Sequence, residues 1–133
     1  MERKIKDNVI VVAAGGGGIP VYGNNKLEGV DAVIDKDLAS SCLAKSIGAD
    51  AMLILTDVSN AYLNYKKPKQ IKLTKIKASK LKKHMNHFPA GSMGPKIEAS
   101  IDFVEHGGKK AIITSPENAE KALKGKTGTV ITK

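Results

Sequence analysis

The sequence is short of several things that particular functions require. It has one arginine, Arg3, no tryptophan, and only three tyrosines and two phenylalanines in 133 residues. Proteins that read nucleic acid lean on arginine and on stacking aromatics. A basic chain this poor in both reads as a solvated, mildly steering surface and not as a dedicated nucleic-acid site. There is one cysteine, Cys42, which excludes an intrachain disulfide and points to a reducing, cytoplasmic compartment. Cys42 itself reads as a small buried hydrophobe on a helix and not as a nucleophile. No window approaches the ~20 apolar residues of a membrane span. The apolar run at 9–14 stops at a glycine cluster, so it reads as a strand and not as a signal peptide.

Acidic residues are also missing, but from one place. None lies between Asp57 and Glu98, an interval that holds ten lysines: Lys66, Lys67, Lys69, Lys72, Lys75, Lys77, Lys80, Lys82, Lys83 and Lys96. The other 12 of the 22 basic residues face 13 acidic ones, so the rest of the chain carries −1 of a formal net charge of +9. Such a patch attracts polyanions, either nucleic acid or a small one such as ATP.

What is present alternates. Residues 9–14 form a continuous apolar, β-branched run, the pattern of a buried strand in a parallel sheet. Residues 22–30 are polar and glycine-punctuated, a loop or short hairpin. A helix is expected over 35–47, with Asp37 as a possible cap and Leu38, Cys42, Leu43 and Ile47 on one face. Gly48 stands at its C-terminal stop. AMLIL at 51–55 is a second buried strand, and 62–65 a short one before the lysine-rich stretch. Helices are expected over 79–85 and, most clearly, 95–106, where Ile97, Ile101 and Val104 fall at i, i+4 and i+7. A third buried strand spans 111–114. A helix over 116–123 has Pro116 first and Ser115 as cap, and a last strand covers 128–132. Alternating strands and helices make the class α/β with a mostly parallel sheet.

Three glycine-bearing motifs need weighing. AAGGGGIP follows a strand, but the dinucleotide fingerprint needs glycines at its first, third and sixth positions, and the sixth position from Gly15 is Pro20. Four glycines still let the backbone approach a ligand closely, at the end of a strand where such folds place their crevice. KGKTG at 124–128 is not a P-loop: the glycine required five residues earlier is Glu120, and the motif precedes a strand. It reads as a turn. GSMGPK at 91–96 combines loop glycines, the Ser92 hydroxyl and a helix start at Pro95. Helix N-termini bind anions through free amides and the macrodipole. Lys96 works against that dipole, which helix stability alone would not select and an anionic ligand would explain; a capped helix with a solvated lysine is the lesser alternative. Asp37 in IDKD could orient a lysine, hold a metal, or simply cap its helix. His84 and His87 are three apart with no acidic residue near, a poor basis for a metal site.

AAGGGGIPV, GVDAVIDKDLAS, LILTDV, FPAGSMGPKIEA, AIIT and GKTGTVIT stand in the order seen in carbamate kinases. From about residue 9 to 133 the chain resembles the C-terminal half of a carbamate kinase, of the amino-acid kinase fold family. The resemblance implies a three-layer αβα sandwich over one domain, 1–133. It implies ATP/ADP and Mg²⁺ as partners, and reversible phosphoryl transfer between ATP and carbamate in the ATP-forming direction of arginine catabolism. By motif, Lys96 would contact the transferring phosphoryl group, Asp37 would organise the catalytic lysines, and Lys36 would sit at the phosphates. Gly15, Gly16, Gly17 and Gly18 would border carbamate. Thr56, Asp57, Tyr62, Ser92 and Met93 would line the nucleotide pocket. No protein ligand for Mg²⁺ stands out, so phosphates and water would hold it.

The family's N-terminal half, with its first-strand lysine, GGN loop and most of the carbamate pocket, has no counterpart here. The chain therefore reads as a fragment, a truncated product or half of a split enzyme: a nucleotide-binding part inactive or nearly so alone, and homodimeric when intact. The other reading is a non-catalytic relic that associates with a full-length kinase or binds polyanions through its lysines. Without the N-terminal strands, an open sheet edge and exposed apolar surface would invite association.

Overall fold

The computed structural model describes residue 7 and residues 9–133. Strands β3 (Ala51–Leu55), β7 (Lys110–Thr114), β8 (Thr129–Thr132) and β6 (Lys75–Lys77) form the central sheet in that order. β3 runs parallel to β7 and β6 parallel to β8, while β7 and β8 are antiparallel. The sheet is thus mixed, with two of its three pairings parallel. Two small antiparallel pairs lie outside it. β1 (Val21–Tyr22) pairs with β2 (Glu28–Gly29), so that of the loop or short hairpin expected over 22–30 the hairpin forms, and β4 (Tyr62–Leu63) pairs with β5 (Ile71–Lys72).

Pleat alternation divides the sheet's side chains between two faces. Met52, Ile54, Ala111, Ile113 and Ile131 join one hydrophobic core with Ile97, Ile101, Phe103 and Val104 of helix α3 (Met93–Glu105). The 3.6-residue spacing read from Ile97, Ile101 and Val104 is the buried stripe of that helix; all three are 5% exposed or less. On the opposite face Ile112 meets Ala122 of the short helix α4 (Ala119–Leu123), both pressed around Gly128. β7 is therefore buried on both sides, as its unbroken apolar run requires. Helix α1 (Lys36–Ser46) packs on α3, and α2 (Ala78–Lys82) brings buried Ala78 and Leu81 to the same core.

Several expectations need correction. Residues 9–14 are not a buried strand: among the described residues they join no ladder, Ala14 has left-handed backbone at φ +66°, and Ile10 and Val12 are 94% and 96% exposed. An apolar run becomes a strand only where neighbours take up its backbone groups. Asp35, not Asp37, caps α1, accepting from the amides of Asp37 and Leu38 at 2.8 and 3.1 Å. Cys42 is exposed, because the face α1 turns inward carries Asp37, Ser41 and Lys45 beside Leu38 and Ala44, of which Leu38 is the expected position that does pack on the core. Gly48 does end α1, at φ +63°, with its amide and that of Ala49 bonded back to Lys45 and Ala44; this is a Schellman closure. The 116–123 helix is split into a 3₁₀ turn (Pro116–Asn118) and α4. Ser115 forms no cap; its hydroxyl accepts from the Asn118 side chain at 2.9 Å. β6 and β5 were not foreseen, since a two- or three-residue strand rich in lysine has almost no apolar period to read.

Candidate functional site

The C-terminal end of β3 leads into a segment held at several points. The Thr56 amide donates to the Thr114 carbonyl at 2.9 Å, extending the β3–β7 ladder by one residue. The Thr114 hydroxyl donates to the Ser59 carbonyl at 3.1 Å, and the Ala61 amide donates to the Thr129 hydroxyl at 2.9 Å. The fully buried Asn60 donates from Nδ2 to the Leu73 carbonyl at 2.9 Å. These bonds fix where Val58 and Tyr62 point. Tyr62 stacks on Tyr65 with ring centres 5.6 Å apart, and the Lys66 ammonium lies 5.4 Å over the Tyr65 ring.

Opposite stands the loop into α3. A 3₁₀ turn (Met85–His87) places His87, whose Nδ1 donates to Asn64 Oδ1 at 3.0 Å, and is followed by buried Phe88. Helix α3 starts at Met93, two residues before Pro95. The Gly94 amide donates to the Pro89 carbonyl at 2.8 Å, and a Cβ on Gly94 would stand 2.8 Å from the same oxygen. Gly94 is thus needed for a close backbone approach that folds the loop. One helix-terminal amide is spent internally, and Pro95 has none. Ser92 precedes the helix, but its hydroxyl makes no capping bond.

Between these walls lies a cavity of about 160 Å³. Thr56, Asp57, Tyr62, Ser92, Met93 and Lys96, six of the residues singled out in the sequence, line it together. Val58, Tyr65, His87, Phe88 and Pro89 also line it and were missed. Tyr65 had a signal, an aromatic three residues from Tyr62 on one exposed turn. Phe88 and Pro89 gave none beyond their place ahead of the glycines. Tyrosine rings with Phe88 and Met93 make an apolar slot suited to a flat ring, and Lys96 sets a cation at one end.

That cation is not solitary. Lys96 Nζ donates to Asp37 Oδ2 at 3.0 Å, and the two side chains are only 13% and 12% exposed. Asp37 is therefore neither a cap nor a solvated carboxylate. It is the counter-ion of Lys96, held there because Asp35 does the capping. The charge of Lys96 near a helix N-terminus is thus partly answered from within the protein. Two further polar links join α1 to α3: the Ser41 hydroxyl donates to Asp102 at 2.7 Å and Lys45 lies 2.6 Å from the same oxygen. The Asp102 hydrogen bond pushes the Lys45 ammonium up from its ordinary value. Burial works to raise the Asp102 carboxyl, but hydrogen bonds from Lys45 and Ser41 and the nearby charges bring it below its ordinary value.

Lys36 and the glycine loop lie apart from the cavity. Gly15, Gly16, Gly17 and Gly18 line an open depression with Ala32, Val33 and Ile34, just ahead of α1. Gly17, at φ +149°, leaves no room for a Cβ, which would fall 2.4 Å from the Ile34 carbonyl oxygen. Lys36 is exposed at the first position of α1, beside Asp37 in the chain. Among the described residues, the glycine loop and Lys36 do not touch the aromatic slot.

This arrangement has counterparts. Residues 1–115 match the model of the amino acid kinase family. The chain is 54% identical over 132 residues to a carbamate kinase of Giardia intestinalis, covering 97% of this chain and 42% of that protein. It is 49% identical to a carbamate kinase of Pyrococcus horikoshii, covering 99% of this chain and 43% of that one. A solved structure of carbamate kinase from Giardia lamblia bound to AMP-PNP superposes with a TM-score of 0.94 at 52% identity, over 99% of this chain and 47% of that chain. The chain thus spans less than half the length of the curated relatives it matches. An isopentenyl phosphate kinase structure, 18% identical with a TM-score of 0.65, shares the fold alone. The chain belongs to the amino acid kinase family.

Proposed function

We propose that this chain supplies the nucleotide-binding and phosphoryl-contacting parts of a carbamate kinase, which moves a phosphoryl group reversibly between ATP and carbamate. The observation that carries this reading is the Lys96–Asp37 pair at the end of an aromatic-lined cavity. The base and ribose would lie among Tyr62, Tyr65, Met93 and Val58, with Thr56, Asp57 and Ser92 offering polar contacts at the rim. Lys96 would meet the transferring phosphoryl group. Phosphoryl transfer asks a protein mainly for positioning and charge neutralisation. An ammonium already drawn from water and aimed by a carboxylate costs little reorganisation when charge shifts. Because the Gly94 amide is spent on Pro89 and Pro95 has none, Lys96 carries more of this task than the helix end does.

Lys36 would approach the phosphates from the start of α1, and the Gly15–Gly18 backbone would border carbamate. Carbamate is already an anion, so no general base is required. Among the described residues no group of three or more His, Cys, Asp or Glu is placed to hold a metal. Mg²⁺ would enter on the nucleotide, held by phosphates and water, and would supply further neutralisation of the phosphate charge. The resemblance of the aligned relatives to this chain runs through all of these segments. Calorimetry with Mg-ADP tests the proposal: binding is expected, and Lys96→Ala should weaken it by about tenfold or more, the worth of one well-placed charged hydrogen bond. A folded sample with no nucleotide affinity would refute it.

A further inference from the structure

A second cavity, of about 380 Å³, lies on the sheet face covered by α4 and shares no lining residue with the aromatic slot. Its charge is one-sided. Lys72, Lys75, Lys110 and Lys126 line it, and no aspartate or glutamate does. Among the described residues none of these four lysines forms an ion pair. They come from four separate stretches: β5, β6, the start of β7 and the KGKTG turn. The fold, not a local charge run, brings them together.

Two features set this cavity apart from a solvated lysine surface. Asn60 lines it, is 1% exposed, and its Oδ1 has no hydrogen-bond partner. A buried carbonyl oxygen left bare costs free energy unless something donates to it. The wall between Gly125 and Gly128 is also built on left-handed backbone, φ +73° and +85°, which brings main chain rather than side chains to the rim. A Cβ on Gly128 would press the Ile113 carbonyl, Ala122 and Ile112 at 3.2 to 3.3 Å.

We infer that this cavity is a second ligand site, for a small phosphorylated compound that also carries a hydroxyl or amino group. The phosphate would sit among the lysine ammonium groups, which favour it as point charges. The hydroxyl or amino group would donate to Asn60 Oδ1. The site also reaches the nucleotide slot through one segment: Asn60 stands between Val58 and Tyr62, which line that slot.

The test is a titration of the ¹⁵N-labelled chain with glycerol 3-phosphate, followed by amide shifts. Saturable shifts are expected at Thr74, at 125–128 and at the Asn60 side-chain amide. Lys75→Ala with Lys126→Ala should weaken binding by about tenfold or more. Lys80→Ala with Lys83→Ala removes the same charge outside the cavity and should leave binding unchanged, as should Lys96→Ala. Retained dispersion of the spectra confirms that each variant is folded. Shifts confined to the aromatic slot, an equal loss in the Lys80 and Lys83 variant, or no saturation would each overturn the inference. An equal loss accompanied by binding of a short RNA would assign the lysines to a diffuse polyanion surface instead. Because Lys96→Ala is expected to spare this site while weakening Mg-ADP, failure here and failure of the kinase reading are separable.

Discussion

Asp35 and Asp37 are two residues apart and chemically identical, yet their neighbours give them different work. Asp35 precedes the helix with extended backbone, where its carboxylate meets two free amides. Asp37 lies inside the first turn, faces α3 and is 8% exposed, with Lys96 as its partner. Sequence alone left Asp37 open between cap, lysine partner and metal ligand, because which aspartate caps depends on where the helix begins, and boundaries are set by one or two hydrogen bonds. The difference predicts divergent substitutions. Asp35→Ala should cost about 1 kcal/mol of stability, the usual worth of an N-cap, and leave Mg-ADP affinity unchanged. Asp37→Asn keeps the side-chain shape but strips Lys96 of its counter-ion. It should weaken Mg-ADP binding several-fold, while Asp37→Ala with Lys96→Ala should be little worse for binding than Lys96→Ala alone. Urea unfolding and calorimetry on the four variants check both claims; additive losses at positions 37 and 96 would show that the pair does not act as a unit.

The contact between α1 and α3 is the element on which the site depends, and it is polar. Asp37, Ser41 and Lys45 occupy one face of α1 at four-residue spacing and meet Lys96 and Asp102. Asp102 has a folded-state carboxyl below its ordinary value of 3.8. A carboxyl depressed by folding contributes stability that is present above its ordinary value and lost as pH falls through the folded value. Acid unfolding should therefore draw on this contact below about pH 3.8. Asp102→Asn should lower stability at neutral pH by about 1 kcal/mol and flatten the acid limb of a stability–pH curve; an unchanged limb would rule the contact out as its source. At the other end of α3, Gly94→Ala should cost about 1–3 kcal/mol and loosen Mg-ADP binding, because the added carbon would displace the Pro89 carbonyl and with it the slot's wall. The apolar half of this architecture was legible: Ile97, Ile101 and Val104 announced α3, and AMLIL and AIIT announced β3 and β7. The α1 face was legible at Leu38, which packs against the core, but not at Asp37, Ser41 and Lys45, polar positions that hydrophobic period could not find. The cavity was legible where a motif carried it, at Thr56, Asp57, Ser92 and Lys96. It was not legible at His87 and Phe88, which enter only through the fold of the preceding loop.

At the scale of the whole molecule the two sheet edges differ. β6, at one end, is Lys75-Ile76-Lys77, and charged residues on an edge strand discourage pairing with another chain. β3, at the other end, is AMLIL, has no neighbour beyond β7 among the described residues, and leaves Leu55 46% exposed. Val9, Ile10, Val11, Val12, Ile19 and Val33 add apolar surface that the described core does not cover. An unguarded edge strand together with extended apolar residues is a recognised route to strand-mediated association. The lysine-rich interval supplies a competing expectation, since a chain of net charge +9 should repel its own copies at low salt. The two effects separate with ionic strength. If the β3 edge dominates, sedimentation velocity should show association that grows with protein concentration and strengthens as salt screens the lysines. Leu55→Lys, which places a charge beside the open edge at an already half-exposed position, should shift the distribution toward monomer without lowering the unfolding midpoint. Association that instead dissolves with salt would assign it to bridging polyanions. A monomer at every concentration and salt would rule the β3 edge out as an association surface.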